Sequence, residues 1–200
     1  MKLSILSLLA PPVALLALFA LPSAAPAPAP AADAWTIDPV HSSVIFKVRH
    51  VGVSNFYGAF KEVGGQISMD PKDPAKSSVT FTIQAASIDT RSEKRNQHLM
   101  SPDFFSVKEF PTIEFKSTSV KSTGKDEYEV DGKLTLHGVT KDLKLKVLQV
   151  GMAESDKGKA AGYETHATIK RSDYGMTGYI DNGMLGDDVD VIVSVEAHAE

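Results

Sequence analysis

Gly132-Lys133-Leu134-Thr135-Leu136-His137-Gly138-Val139-Thr140-Lys141-Asp142-Leu143-Lys144-Leu145-Lys146-Val147 is the stretch whose reading decides the fold. Leu134 and Leu136 fall on one face of an extended chain, with Lys133, Thr135 and His137 opposite. After Gly138 the alternation resumes: Leu143, Leu145 and Val147 share a face, and Lys144 and Lys146 take the other. A period of two with one apolar face is what a half-buried strand requires, and it would scatter leucines around a helix. Two such runs joined by a short glycine-containing loop predict an antiparallel hairpin.

The same alternation extends in both directions. Trp35-Thr36-Ile37-Asp38 reads as a short first strand stopped by Pro39. In residues 42–50, Val44, Phe46 and Val48 face away from Lys47 and Arg49. Residues 52–58 read as a turn region, and 59–63 with 66–69 as a strand pair around Gly64-Gly65. Val79, Phe81 and Ile83 are in phase after a Pro-rich loop, as are Ile113 and Phe115 in 112–116. Residues 92–100 hold helix formers without a β-branched run and predict one short helix. Residues 117–126 and 151–162 read as polar connections, 163–171 as a strand and 175–186 as a Gly-rich loop. Val189, Val191, Val193 and Val195 close the series. About eight antiparallel strands either close into a barrel or fold into a sandwich. At that number a barrel interior is filled by side chains or holds one small ligand.

A formal net charge of −4 over 200 residues leaves no electrostatic footprint for nucleic acid. The chain has no cysteine, which excludes disulfides, thiolate metal sites and cysteine nucleophiles. At the N-terminus Met1-Lys2 precedes an apolar run to Leu21 and then an Ala-Pro tract. A short basic start, an apolar run and small residues predict a secretory signal peptide with an extended spacer over 1–34, and a domain over 35–200. Cleavage would leave a secreted protein without stable membrane insertion; an uncleaved anchor is the competing reading. His41, His50, His98, His137, His166 and His198 show no short metal-ligand spacing, so no metal site is expected. There is no Gly-x-Ser-x-Gly elbow, no His-Glu-x-x-His and no phosphate-cradling loop before a helix, so no enzyme is expected.

Five blocks then carry a resemblance. Trp35-Thr36-Ile37-Asp38-Pro39-Val40-His41-Ser42 opens the first. Arg95-Asn96-Gln97-His98-Leu99, followed by Ser101-Pro102-Asp103-Phe104-Phe105, forms the second. Pro111-Thr112-Ile113-Glu114-Phe115, the 134–141 hairpin and Lys170-Arg171-Ser172-Asp173-Tyr174-Gly175-Met176 complete the set in order. Together they resemble the YceI-like family from Trp35 nearly to the last residue. Asn96 departs from the pattern, which usually has Asp there.

The resemblance implies a lipocalin-like antiparallel β-barrel in the periplasm, binding long isoprenoid lipids such as polyprenyl chains or isoprenoid quinones, with no further cofactor and no established catalytic residue. For the lipid tail the in-phase faces nominate Phe46, Val48, Phe81, Ile83, Ile113, Phe115, Leu134, Leu136, Leu145, Ile169 and Val191, joined by Phe104 and Phe105. Val44, Val79, Leu143 and Val193 stand on the same faces. Arg171, with Arg95 or His98, is the candidate for an anionic head group, because guanidinium donates two hydrogen bonds at once; Asp173 is placed to pair with Arg171. Two other readings stay open: a secreted hydrolase or isomerase of a small amphiphile using His98, Arg171 and Asp173, and a stress-protective barrel with a filled core. An open strand edge would permit a homodimer.

Overall fold

The 132–147 stretch folds as the predicted hairpin, with strand β7 (Glu127–Leu136) paired to β8 (Val139–Ser155) in register Leu136↔Val139. His137 and Gly138 form the two-residue turn, both at positive φ (50° and 74°), the conformation that matches the twist of the flanking strands. His137 bears this unusual backbone because its Nδ1 donates to the Tyr174 carbonyl at 3.0 Å and its ring meets Phe110.

The computed structural model describes residues 33–70, 72–156 and 158–199. The signal peptide and Ala-Pro spacer expected over 1–34 lie almost wholly outside the described residues. The remaining strands are β1 (Asp33–His50), β2 (Ser54–Phe60), β3 (Val63–Met69), β4 (Ser78–Gln84), β5 (Ile88–Asp89), β6 (Thr112–Gly124), β9 (Gly158–Lys170) and β10 (Leu185–Ala199). Helix α1 spans Glu93–Met100, as predicted to within one residue. Eight strands close a ring in the order β1-β3-β4-β6-β7-β8-β9-β10, with β10 returning to β1 and every neighbouring pair antiparallel. A sandwich is thereby excluded. Closure also removes the free edge on which a strand-addition dimer would build, leaving only the short β2–β5 extension beside β1.

Several expected breaks are continuous strand. Pro39 does not stop the first strand: a bulge between Asp38 and Ser43 absorbs it, and β1 runs on to pair with β10 along its length. The segment expected to turn over 52–58 turns only at 51–53 and then enters β2. Residues 59–63 and 66–69 are not a strand pair; β2 and β3 run in line and both pair with β1, one with each half. Gly65 lies within β3 because a Cβ there would stand 2.1 Å from the Thr80 carbonyl oxygen of β4. The expected loops 117–126 and 151–162 are mostly strand, so that β6 reaches Gly124 and β8 reaches Ser155.

Two apolar clusters close the ring. At one end α1 and the segment after it bring Leu99, Met100, Phe105 and Val107 against Val44, Phe60, Ile83, Ile113 and Met176. At the other end Trp35, Ile37, Ile67, Ala161, Tyr163 and Ala197 pack together. Between them, inward-facing residues such as Phe46, Phe81, Leu134, Leu145 and Val191 are only half-buried. Inward side chains that keep accessible surface are the mark of a hollow interior.

Candidate functional site: the barrel interior

A cavity of about 270 Å³ occupies the barrel between the α1 end and the Trp35 end. All thirteen residues nominated for a lipid tail line it: Phe46, Val48, Phe81, Ile83, Phe104, Phe105, Ile113, Phe115, Leu134, Leu136, Leu145, Ile169 and Val191. Val44, Val79, Leu143 and Val193 do so as well. Strand alternation places eleven of the thirteen there, since every second residue of each strand turns inward, while Phe104 and Phe105 come from the turn after α1. Along β10 the lining runs from Leu185 to Val195. Ten residues at about 3.3 Å each, tilted by about 40°, give a tube roughly 25 Å long.

Among the described residues, the polar lining consists of Ser77, Tyr128, Tyr163, Glu164, Thr165 and Arg171. Most of their polar atoms have protein partners. Ser77 donates to Met69 Sδ, Thr165 to the Lys146 carbonyl, and Tyr128 to Gln149 Oε1. Glu164 pairs with His166. The Tyr163 hydroxyl has no hydrogen bond to a described residue, and burial pushes its pKa up to about 12. Beside it in the same cluster the buried Trp35 indole Nε1 also lacks a partner among the described residues. Sequence reading placed both on strands but did not single them out, because alternation tells which face a side chain takes and not whether its polar atom finds a partner.

The four residues nominated for a head group do not form one site. Arg171 does line the cavity at the α1 end, buried at 5% exposure. It does not pair with Asp173. Its Nε donates to the Gly186 carbonyl at 2.8 Å, Nη1 to Met176 at 2.9 Å and Nη2 to Leu185 at 3.3 Å. Asp173 is exposed and accepts from Lys141 Nζ at 3.0 Å. Arg95 bonds the Thr90 hydroxyl and carbonyl and stacks over Phe56 at 4.3 Å. His98 meets Asp103 Oδ2 at 3.0 Å and packs edge-on to Phe104. One physical reason covers all four: each charged group is satisfied by a nearby partner that sequence spacing does not reveal.

Arg171 instead organises the loop between β9 and β10. It belongs to a single 3-10 turn, Arg171–Tyr174, whose Ser172 amide and hydroxyl both donate to Asp187 at 2.9 and 2.8 Å. Those bonds hold the Asp187 carboxyl below the usual carboxylate range. Burial lowers the pKa of Arg171, with Asp187 opposing the change. The Gly-rich loop is thus pinned through Met176, Leu185 and Gly186 around the α1 end of the cavity.

What the site can do follows from this lining. It offers a long apolar tube with a lone hydroxyl near one end and a clamped guanidinium at the other. His98, Arg171 and Asp173 do not converge on a reacting atom.

Comparison with known proteins agrees with this geometry. The model of the YceI-like domain matches residues 35–197. Protein YceI of Escherichia coli O157:H7 is 40% identical over 157 residues, covering 78% of this chain and 81% of its own length. The crystal structure of BcnA from Burkholderia cenocepacia superposes with a TM-score of 0.73 at 25% identity, covering 80% of this chain and 98% of that one. A polyisoprenoid binding domain from Saccharophagus degradans shares the fold, with a TM-score of 0.65 at 17% identity, over 84% of this chain and 99% of that one. The alternating strands, the closed eight-stranded ring and these matches lead to one conclusion: the chain belongs to the YceI-like family.

Proposed function

We propose that this protein is a periplasmic carrier that holds the tail of an isoprenoid lipid, a polyprenyl chain or an isoprenoid quinone, inside the barrel. The observation that carries the reading is the apolar cavity of about 270 Å³ reaching from the α1 end to the Trp35 end. A filled-core barrel would have no use for it, and a catalyst would need converging polar groups. The fold shared with a polyisoprenoid binding domain supports the lipid class. The leader-like composition of residues 1–34 supports export.

Energetics favour partial engagement. Each buried methylene contributes roughly 0.8 kcal/mol, so a five-carbon prenyl unit contributes on the order of 4 kcal/mol before ordering costs. Several units would exceed any known affinity unless ordering the flexible tail offset most of it. Neighbouring tail lengths are therefore expected to bind with similar affinity.

The test uses the single tryptophan, Trp35, which packs against the cavity-lining Ile37, Ile67 and Tyr163. Delipidated protein is titrated with an isoprenoid quinone in detergent below its critical concentration. A saturable quenching of Trp35 fluorescence at one quinone per chain is expected. Quenching that stays linear in quinone, as for free tryptophan, would count against the proposal.

A further inference from the structure

We infer that the outer face of the β1–β10 seam carries a transition-metal site of the zinc class, formed by Asp38, His41, Glu196 and His198. The first two come from β1 and the last two from β10, so opposite ends of the chain meet there. In the β1–β10 register Asp38 stands directly opposite Glu196, and His198 lies two residues further along the same face. That face is the outer one, since Ile37 and Ala197 between them are buried in the core. The bulge between Asp38 and Ser43 brings His41 back beside Asp38, with Nδ1 at 2.7 Å from Asp38 Oδ2, at the margin of the trio that Asp38, Glu196 and His198 form.

The spacing suits a tetrahedral ion. His198 Nε2 is 3.4 Å from Asp38 Oδ2 and 3.2 Å from Glu196 Oε1. Ligands at about 2.0–2.1 Å from zinc stand about 3.3–3.4 Å apart along a tetrahedral edge. One ligand atom each from Asp38, Glu196 and His198 lies within 4.8 Å of the others. His41 supplies the fourth donor once its hydrogen bond to Asp38 opens. The other Asp38 oxygen, Oδ1, accepts from the Val40 amide at 2.7 Å, which orients the carboxylate as outer-shell partners do around bound metals.

Charge points the same way. Two carboxylates directly opposite on a ladder repel. A divalent cation held between them would offset that repulsion. Two imidazoles with two carboxylates favour zinc, nickel or copper over calcium and magnesium, which prefer all-oxygen shells. The site lies on the outside of the barrel, so it is independent of the lipid reading.

The mature protein is titrated with ZnCl2 by calorimetry in a non-chelating buffer, with MgCl2 and CaCl2 in parallel. One saturable equivalent of zinc is expected, with little response to magnesium or calcium and a rise in melting temperature, because the ion ties the first strand to the last. His41→Ala and His198→Ala alter exposed side chains and should leave the apo protein folded while weakening zinc at least about tenfold each. Absence of saturable zinc binding overturns the inference. So does full-strength binding in the His41→Ala/His198→Ala double variant, which would place the ion on another exposed pair such as His166 and Glu164.

Discussion

Replacing Ala167 by Phe puts a ring into the middle of the barrel. Ala167 lies on β9 opposite Val191 of β10, which is itself opposite Phe46 of β1, and all three line the cavity. Ala167 is the smallest side chain in that lining, so a ring built there extends into the cavity that it borders. Burying a Phe side chain is worth about 1.5–3 kcal/mol. Taking the lower figure, and about 2–4 °C per kcal/mol for a chain of this size, the empty protein should melt about 3–6 °C higher. The ring also takes the place of about one prenyl unit, roughly 4 kcal/mol before costs. If ordering offsets half, the loss is about 2 kcal/mol, a weakening of isoprenoid binding by about thirtyfold. The assay pairs a thermal melt of delipidated Ala167→Phe with the Trp35 quenching titration. Opposite signs, higher stability and weaker binding, are what a hollow carrier requires. A filled core would instead be overpacked and lose about 1–3 kcal/mol. A lower melting temperature with unchanged binding would refute the reasoning.

Three further outcomes follow from single side chains. Tyr163 has a folded pKa of about 12 against 10.0 when exposed, so its stabilisation is fully present below pH 10 and is lost as pH rises through 12. Chemical denaturation between pH 9 and 12 should show an alkaline loss of up to roughly 2 kcal/mol that Tyr163→Phe removes. Arg171→Lys cannot reproduce three bonds to the Gly186, Met176 and Leu185 carbonyls. Urea unfolding should register a loss of about 2–3 kcal/mol. Asn96 Oδ1 accepts from the Thr90 amide and hydroxyl at 2.9 and 2.6 Å, while its amide donates toward Asp89. Asn96→Asp should therefore lower stability at neutral pH through repulsion from Asp89, and the loss should shrink as pH falls below 4.

The legible part of this molecule is the part that alternates. Phe46, Phe81, Leu134 and Val191 declare their inward face through their polar neighbours, and the strand part of the cavity lining follows from period two. Strand ends were illegible for the converse reason. Past Ser117 in β6, Val120 is the lone apolar anchor among serines and lysines, yet its pairing with Val130 carries the strand to Gly124. Pro39 read as a stop because a bulge is a property of two paired strands, and a single segment cannot display it. The head-group quartet failed similarly. Arg171, Arg95, His98 and Asp173 announce charge, but only the fold shows that carbonyls, Thr90, Asp103 and Lys141 already satisfy them. The cluster of Asp38, His41, Glu196 and His198 escaped for the plainest reason, since its halves lie at opposite ends of the domain.

Departure of Asn96 from the family pattern now has a local account. The amide serves as acceptor toward Thr90 and donor toward Asp89 at once, a bridge that a carboxylate could make only in part. It anchors the start of α1 to β5, and α1 in turn carries Leu99 into the cavity wall.

The most direct measurement is mass spectrometry of an organic extract from the full-length chain, expressed in a bacterial host that makes isoprenoid lipids and purified without detergent. The account predicts one isoprenoid molecule per barrel, of mixed tail length, with the amount sharply reduced in Ala167→Phe. An extract without a stoichiometric amphiphile, from barrels that are nonetheless folded, would contradict it.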